Sequence, residues 1–243
     1  MSDQDEVSAS GAPIYRHEAR ERPFEVAIGD AEAIERIEAH LERYLGKSET
    51  VWHEIISDLV HVDVHVFPPR EGRPFTTLVT TGMSDRAMAV PDGAPSPRYA
   101  ELLLCLPPDW PLDQASFEDE RHYWPVRALK FMARFPHEYG TWLGWGHTVP
   151  NGDPPAPLAP GVPFTTLLVE RPITLPPEAH ELVVSPEKTI GFFSLVPLHD
   201  DEVRLKMTKG AEALEKLFDE KGVSELLDVR RPSVARRRWL GIF

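Results

Sequence analysis

The sequence has almost no cysteine and no long apolar run. Cys105 is its single cysteine among 243 residues, so no disulfide can form within the chain. No apolar run approaches the ~20 residues that a membrane helix needs. Residues 1–11 are too polar and acidic for a signal peptide. We therefore expect a protein of the reducing cytoplasm that does not bind a membrane, with Cys105 acting as a small buried side chain.

Positive charge is also scarce. Lys and Arg total 26 against 39 Asp and Glu, which gives a formal net charge of −13. Such a chain repels phosphate backbones, which argues against nucleic-acid binding and favours a basic protein partner. The exception is an arginine cluster near the C-terminus, which is either a solvated tail or a site for phosphate or an acidic peptide. It consists of Arg230, Arg231, Arg236, Arg237 and Arg238.

The motifs of common catalytic sites are missing as well. The sequence has neither G-x-x-x-x-G-K-[ST] nor G-x-G-x-x-G, the glycine-rich loops that hold phosphates. Ser84 follows Gly82 but lacks the second glycine of a nucleophile elbow. Cys105 has no basic neighbour in sequence that would lower its pKa. We expect a protein that is not an enzyme and needs no cofactor.

What the sequence does contain is a regular pattern of helices and strands after a polar arm. Residues 1–23 lack periodicity and are predicted to form a flexible arm, and residues 24–243 a single domain. Apolar residues at helical spacing predict a helix between an Asp30 N-cap and Gly46. A second helix is predicted from Asp119 or Glu120, and two more between Asp201 and Lys221, separated at Gly210.

Alternating β-branched residues and proline stops predict the strands. The predicted strands are Val60–Phe67, Phe75–Thr81, Tyr99–Leu106, Thr141–Trp145, Thr165–Glu170, Glu181–Ser185 and Ile190–Val196. The proline-rich segment Val149–Pro163 is predicted to be a long ordered loop. Because helices come before, between and after the strands, we expect an α/β (α+β) fold: a mixed, mostly antiparallel sheet flanked by helices.

Polar residues alternate with valines on the first long strand. His61, Asp63 and His65 share one face of it, and such a pair of histidines with a carboxylate can hold zinc. His53, Glu54 and His147 are candidates to complete that site. The alternative is a structural face, in which Asp63 is satisfied by hydrogen bonds and by a cation such as Arg230 or Arg231.

Two tryptophans lie close together around a glycine. Trp142 and Trp145 flank Gly144, and in a regular strand they would point to opposite sides. A bulge at Gly144 or Gly146 would bring them together. They are either core residues or anchors for a partner, since tryptophan is enriched in binding hot spots.

A series of short segments resembles the suppressor-of-fused domain family. In order, the segments are Trp52-His53-Glu54, His61-Val62-Asp63-Val64, Leu78 to Ser84, Tyr99-Ala100-Glu101-Leu102, Leu106-Pro107-Pro108-Asp109-Trp110, Gly146-His147-Thr148, Asn151-Gly152, Phe193 to Leu198 and Asp228 to Val234. The resemblance covers about Val51 to Val234.

This resemblance implies an α/β domain that binds other proteins. Animal members clamp a peptide strand of a transcription factor between two domains, a mode that uses main-chain hydrogen bonds for affinity. This chain stops soon after Val234, so we expect only one of those domains. The resemblance marks the following as candidate binding residues: His53, Asp63, Gly82, Ser84, Glu101, Trp110, His147, Asp228, Arg230 and Arg231.

Some of these candidates also have structural interpretations. Gly82 marks a turn or a positive φ, and Glu101 is a candidate for internal pairing. Short stand-alone members are typical of bacteria, where many are thought to neutralise toxins as immunity proteins. The sequence thus predicts a non-enzymatic protein-binding domain, with a toxin as a possible partner. The alternative is a metal-dependent hydrolase that uses His61, Asp63 and His65.

Overall fold

The computed structural model describes residues 6–18 and 22–236. Four α-helices and ten β-strands lie within these ranges. The helices are α1 (Ala31–Leu45), α2 (Glu120–Tyr139), α3 (Asp200–Lys209) and α4 (Ala211–Lys221). The strands are β1 (Glu6–Val7), β2 (Pro13–Ile14), β3 (Thr50–Trp52), β4 (Asp63–Phe67), β5 (Thr76–Thr81), β6 (Tyr99–Leu106), β7 (Thr148–Pro150), β8 (Thr166–Glu170), β9 (Glu181–Ser185) and β10 (Lys188–Leu198).

Eight of the described strands form one mixed sheet in the order β3-β4-β5-β6-β10-β8-β7, with β9 paired to the first part of β10. Only the pair β6 and β10 is parallel, and the other described pairs in this sheet are antiparallel. This arrangement confirms the predicted mixed sheet with flanking helices. A parallel pair needs a long connection, and here α2, β7, β8 and β9 lie between β6 and β10 in the chain.

The central strands are covered by helices on both faces. All residues of β4 and β5 are buried, as are all but the first of β6. Leu102 and Leu104 of β6 pack in the same cluster as the apolar side of α2. Leu103 and Cys105 point the other way and pack with α1. The unbroken apolar run of β6 follows from this two-sided burial, because neither face meets water.

The predicted ends of α1 and the predicted start of α2 are confirmed. The Asp30 side chain accepts hydrogen bonds from the backbone N–H groups of Glu32 and Ala33, and Asp119 accepts one from Arg121. These contacts satisfy N–H groups that have no partner inside the helix. Gly46 and Gly140 follow the last helical turns. The break between α3 and α4 falls at Gly210, as predicted.

The predicted strand Thr141–Trp145 is wrong. That segment is irregular, and the strand comes later, at β7, where the sequence analysis placed the beginning of a loop. The Trp142 ring folds back over Gly144, where a Cβ atom would lie 2.6 Å from it, and Gly146 has a φ of +79°. Neither geometry fits an extended strand, so the apolar residues that suggested one serve local packing instead.

Besides β7, three short strands were not predicted. The antiparallel pair β1 and β2 lies within the predicted flexible arm, and β3 lies beside β4. Each spans only two or three residues, which is too few to show a period of two. In the described ranges, no helix has both the length and the apolar character that crossing a membrane requires.

We predict that Gly82→Ala destabilises the domain by more than about 3 kcal/mol. Gly82 follows β5 with a φ of +96°, and an added Cβ would lie 1.8 Å from the backbone oxygen of His61. Urea unfolding measures the loss. Gly93→Ala is the matched control, because Gly93 also has a positive φ but open space around it, and we expect it to cost about 1 kcal/mol. Equal losses would show that the contact with His61 relaxes freely.

Candidate functional site

Asp63, at the start of β4, is a buried carboxylate held by its own neighbourhood. Its two oxygens contact His53 Nδ1 at 2.8 Å and His61 Nε2 at 3.2 Å. One of them also accepts a hydrogen bond of 3.0 Å from the backbone N–H of Glu54. A buried carboxylate needs such partners to offset lost hydration. The structural interpretation of Asp63 is therefore confirmed, but the proposed partnership with Arg230 or Arg231 is wrong, because its partners are two histidines and a backbone N–H group.

The same network extends to helix α2. Glu54 accepts a hydrogen bond from Ser57 Oγ at 2.8 Å and forms an ion pair with Arg134. Ser57 Oγ in turn lies 2.7 Å from His61 Nδ1. Ser57 and Asp63 are buried, whereas the side chain of His53 is exposed. These contacts tie the loop before β4 to α2.

His53 and His61 both contact Asp63, but the other two histidines considered as metal ligands lie elsewhere. His65 Nε2 lies 3.2 Å from Thr81 Oγ1 on the neighbouring strand. His147 stacks edge-on against Trp142, with ring centroids 4.3 Å apart. Within residues 6–18 and 22–236, no group of three or more His, Cys, Asp or Glu side chains is arranged to hold a metal ion. The described residues thus offer the metal-dependent alternative no ligand set.

Glu101 lies at the centre of the sheet and is fully buried. Ser84 donates to it twice, from its backbone N–H at 2.9 Å and its hydroxyl at 2.6 Å. The hydroxyl of Thr80 donates to its other oxygen at 2.6 Å. Burial raises the pKa of Glu101 to about 7, against the lowering effect of these donors. The predicted internal pairing of Glu101 is confirmed, and it anchors the turn that Gly82 begins.

Arg231 joins the C-terminal segment to the rest of the domain. Its guanidinium makes two hydrogen bonds of 2.5 and 2.7 Å to the fully buried carboxylate of Glu202 in α3. It also donates to the backbone oxygen of Pro197 at 2.6 Å, at the end of β10. Its charged face lies 4.9 Å from the ring centre of Phe164. Arg231 therefore holds the C-terminal segment to α3 and β10 through internal contacts. No pattern in the sequence pointed to its partner Glu202.

The neighbouring arginines differ from Arg231. Arg230 is exposed, and Arg236 lies 3.7 Å from Asp201 with most of its side chain in solvent. Arg237 and Arg238 lie outside the described residues. Of the five arginines in the predicted cluster, the structure describes Arg230, Arg231 and Arg236. Each of these three lies in different surroundings.

His147 belongs to a second group of side chains with shifted pKa values, which lies beside α3. Burial and the nearby charge of Lys206 lower the pKa of His147 to about 4. Lys206 donates to Thr148 Oγ1 at 3.2 Å. Burial and the proximity of Glu215 raise the pKa of Glu170 to about 7.

The two tryptophans do not form one anchor. Trp142 packs edge-on against His147, whereas the ring of Trp145 lies under Arg171, with 5.2 Å between the ring centre and the guanidinium carbon.

A surface groove brings together three of the predicted binding residues: Trp110, Asp228 and Arg230. Its volume is about 590 Å³. One wall is Pro107–Trp110 and the other Gly222–Arg230, and Pro74 and Phe75 contribute as well. Pro107–Trp110 and Asp228–Arg230 are far apart in sequence, yet both belong to the series that suggested the family. We take this groove as the candidate functional site.

The C-terminal wall of the groove is held against the end of β6. The backbone N–H of Cys105 donates to the backbone oxygen of Glu225 at 3.0 Å. The backbone oxygen of Cys105 accepts from the backbone N–H of Leu227 at 2.8 Å. This pairing begins beyond Leu103, where β10 stops pairing with β6. Burial raises the pKa of the Cys105 thiol to about 11, as expected of a small core side chain. Leu226, between the two anchors, is left 38% exposed.

Among the groove residues, sequence reasoning missed Phe75 and Leu226. Phe75 was assigned to a strand, and Leu226 lies between two turns without a pattern of its own. Only their places in the fold make them part of one surface. The remaining predicted residues, His53 apart, are buried or engaged inside the domain.

Comparison with known proteins agrees with this architecture. The family model of the suppressor of fused protein (SUFU) matches residues 58–232. The chain therefore belongs to the suppressor-of-fused family, as its sequence segments suggested. No curated protein matches it in sequence.

Three solved structures share the fold at low sequence identity. A suppressor-of-fused homologue from Neisseria gonorrhoeae FA 1090 has a TM-score of 0.63 at 18% identity, covering 86% of this chain and 100% of the homologue. Suppressor of fused in the Sufu–Fu complex has a TM-score of 0.58 at 15% identity, covering 83% and 92%. Drosophila suppressor of fused has a TM-score of 0.57 at 14% identity, covering 85% of this chain and 54% of that one.

We predict that Glu101→Gln removes a component of the pH dependence of stability. The folded pKa of about 7 lies above the ordinary value of 4.5, so folding favours the protonated acid. The wild-type free energy of unfolding therefore declines relative to that of the variant as pH rises from 4.5 through 7. Urea unfolding across this range measures the difference. Glu220→Gln, on the exposed side of α4, is the control. Parallel profiles for wild type and Glu101→Gln would contradict the prediction.

We also predict that Arg231→Ala costs about 3–5 kcal/mol of unfolding free energy, because it leaves the Glu202 carboxylate buried without its cation. Arg230→Ala, one residue earlier and exposed, should change stability by less than about 0.5 kcal/mol. Denaturant unfolding of the two variants compares them directly. Similar losses of unfolding free energy in the two variants would refute a stabilising role specific to Arg231.

Proposed function

We propose that this chain is a non-enzymatic protein-binding domain that receives a segment of its partner in the groove between Pro107–Trp110 and Gly222–Arg230. The observation that carries the proposal is the meeting of Trp110, Asp228 and Arg230 in that groove. Its volume falls within the range of ordinary binding sites, which run from about 300 to 1,000 Å³.

The chemistry of the groove suits a peptide segment that has apolar side chains. The indole N–H of Trp110 donates to the backbone oxygen of His122 at 3.0 Å, so the polar edge of the ring is already satisfied. Trp110 and Phe75 therefore offer apolar ring surface, and Leu226 adds an exposed aliphatic side chain. Buried aromatic contacts of this kind dominate binding energy at protein interfaces. Asp109, Asp228 and Arg230 supply the polar groups that orient a ligand.

The family suggests the general class of partner. Suppressor of fused has been seen in a complex with Fu, and a protein partner is the natural expectation for a relative with the same fold. Within that class, we propose an immunity protein that neutralises a bacterial toxin. The net charge of −13 supports a basic partner, because opposite charge speeds association and disfavours wrong partners.

The experiment uses calorimetry to measure binding of the full chain to the protein product of the neighbouring gene. We expect wild type to bind, and Leu226→Asp and Arg230→Ala to weaken binding by about tenfold or more each, because the first variant loses apolar contact in the groove and the second loses a polar group that orients the segment. Lys216→Glu, on an exposed position of α4, is the control for added negative charge and should bind as wild type does.

The outcomes separate the two levels of the proposal. Wild-type binding that both groove variants retain would place the partner elsewhere on the domain. Binding that does not relieve the toxicity of the co-expressed partner would leave a protein-binding domain without an immunity role. Absence of binding at micromolar concentration would remove the neighbouring gene product as the partner.

A further inference from the structure

We propose a second docking surface, separate from the groove, that binds a basic protein surface with exposed apolar side chains. It consists of Phe24, Val26, Ile28, Ile55 and Ile56, and is called the isoleucine face below. It shares no residue with the groove.

Two chain segments build this face by pairing with each other. Val26 forms an antiparallel bridge with Asp58. On either side of it, the backbone N–H of Ala27 donates to Ser57 at 3.1 Å and that of Leu59 donates to Glu25 at 3.0 Å. Residues 24–28 therefore run alongside residues 55–59 as a short ladder.

Five large apolar side chains of these segments are exposed to solvent, whereas Leu59 is buried. Exposure reaches 58% for Phe24, 71% for Val26, 89% for Ile28, 99% for Ile55 and 76% for Ile56. Single exposed apolar residues are ordinary on a protein surface. Five on two paired segments are not, and apolar patches of this kind mark interaction sites.

The polar side chains of the same segments hold the ladder in place. Asp58 accepts a hydrogen bond from the backbone of Glu25 at 2.8 Å and is bound by both terminal nitrogens of Arg22. Glu54 is fixed by Arg134 of α2. The isoleucine face is thus presented by a braced segment, so a partner that binds it meets a surface that is already ordered.

Charge around the face selects the kind of partner. Residues 22–30 and 53–59, together with the side chains bonded to them, contribute seven carboxylates but three arginines. The carboxylates are Glu25, Asp30, Glu54, Asp58, Asp63, Asp85 and Glu138, and the arginines are Arg22, Arg86 and Arg134. A second copy of a chain with a net charge of −13 would be repelled here. A basic partner would be attracted.

The face also lies outside the part of the chain that defines the family. The family match begins at Asp58, after Ile56 and well after residues 24–28. The groove, by contrast, lies inside it. We infer that the isoleucine face serves a partner particular to this chain, and that the groove belongs to the shared architecture.

The test uses the full chain labelled at the isoleucine δ1 methyl groups and followed by NMR. The probes are two short synthetic peptides of alternating residues, one of leucine and lysine and the other of leucine and glutamate. We expect the lysine peptide to shift the Ile28, Ile55 and Ile56 signals saturably, and to bind at least about tenfold more tightly than the glutamate peptide. Ile173, which is 67% exposed, is the internal reference and should not respond in the same way.

A variant pair completes the test. The double variant Ile55→Asp and Ile56→Asp should weaken binding of the lysine peptide by about tenfold or more, whereas Ile173→Asp should not. Equal response at Ile173, or equal affinity for the two peptides, would overturn the proposal. So would sedimentation that shows a dimer of the chain which the double variant abolishes, because the occupant would then be a second copy. Failure of the groove variants above leaves this result unaffected.

Discussion

Burial of the central strands on both faces is the constraint on which the rest of this structure depends. Strands β4, β5 and β6 have no face in water, so each polar side chain on them needs a partner inside the protein. Asp63 finds His53, His61 and the backbone of Glu54. Glu101 finds Thr80 and Ser84. Each arrangement fixes a loop to the sheet. The hydrogen bonds that satisfy these buried carboxylates therefore also determine where the loops lie.

This constraint explains why several family-signature residues are structural. The turn at Gly82 must pass so close to His61 that no side chain fits, and that approach brings Ser84 to Glu101. At the other end of the sheet, Arg231 and Glu202 do the same for the C-terminal segment. That segment continues from the groove wall, whose backbone pairs with Cys105. The groove therefore owes its shape to contacts with the sheet on one side and to a buried ion pair on the other.

The two proposed surfaces stand in different relations to the fold. The groove is made by segments that the core must hold in place, and it lies within the family match. The isoleucine face precedes that match and is braced by its own ion pairs and ladder. A domain can keep the first while its sequence changes freely at the second. Such a division suits a family whose members share a fold at under 20% identity.

The sequence by itself determined the mixed sheet, both ends of α1, the start of α2, the buried run of β6 and the family, because periodicity, caps and short motifs are local. It did not determine which polar residues would meet. Asp63 was matched with the wrong cations, and Glu202 and Leu226 were not singled out, because their partners lie far along the chain. The prediction of a strand at Thr141–Trp145 was wrong because the Trp142 ring folds over Gly144. Only the tertiary structure decided these points, since burial and contact depend on which distant segments pack together.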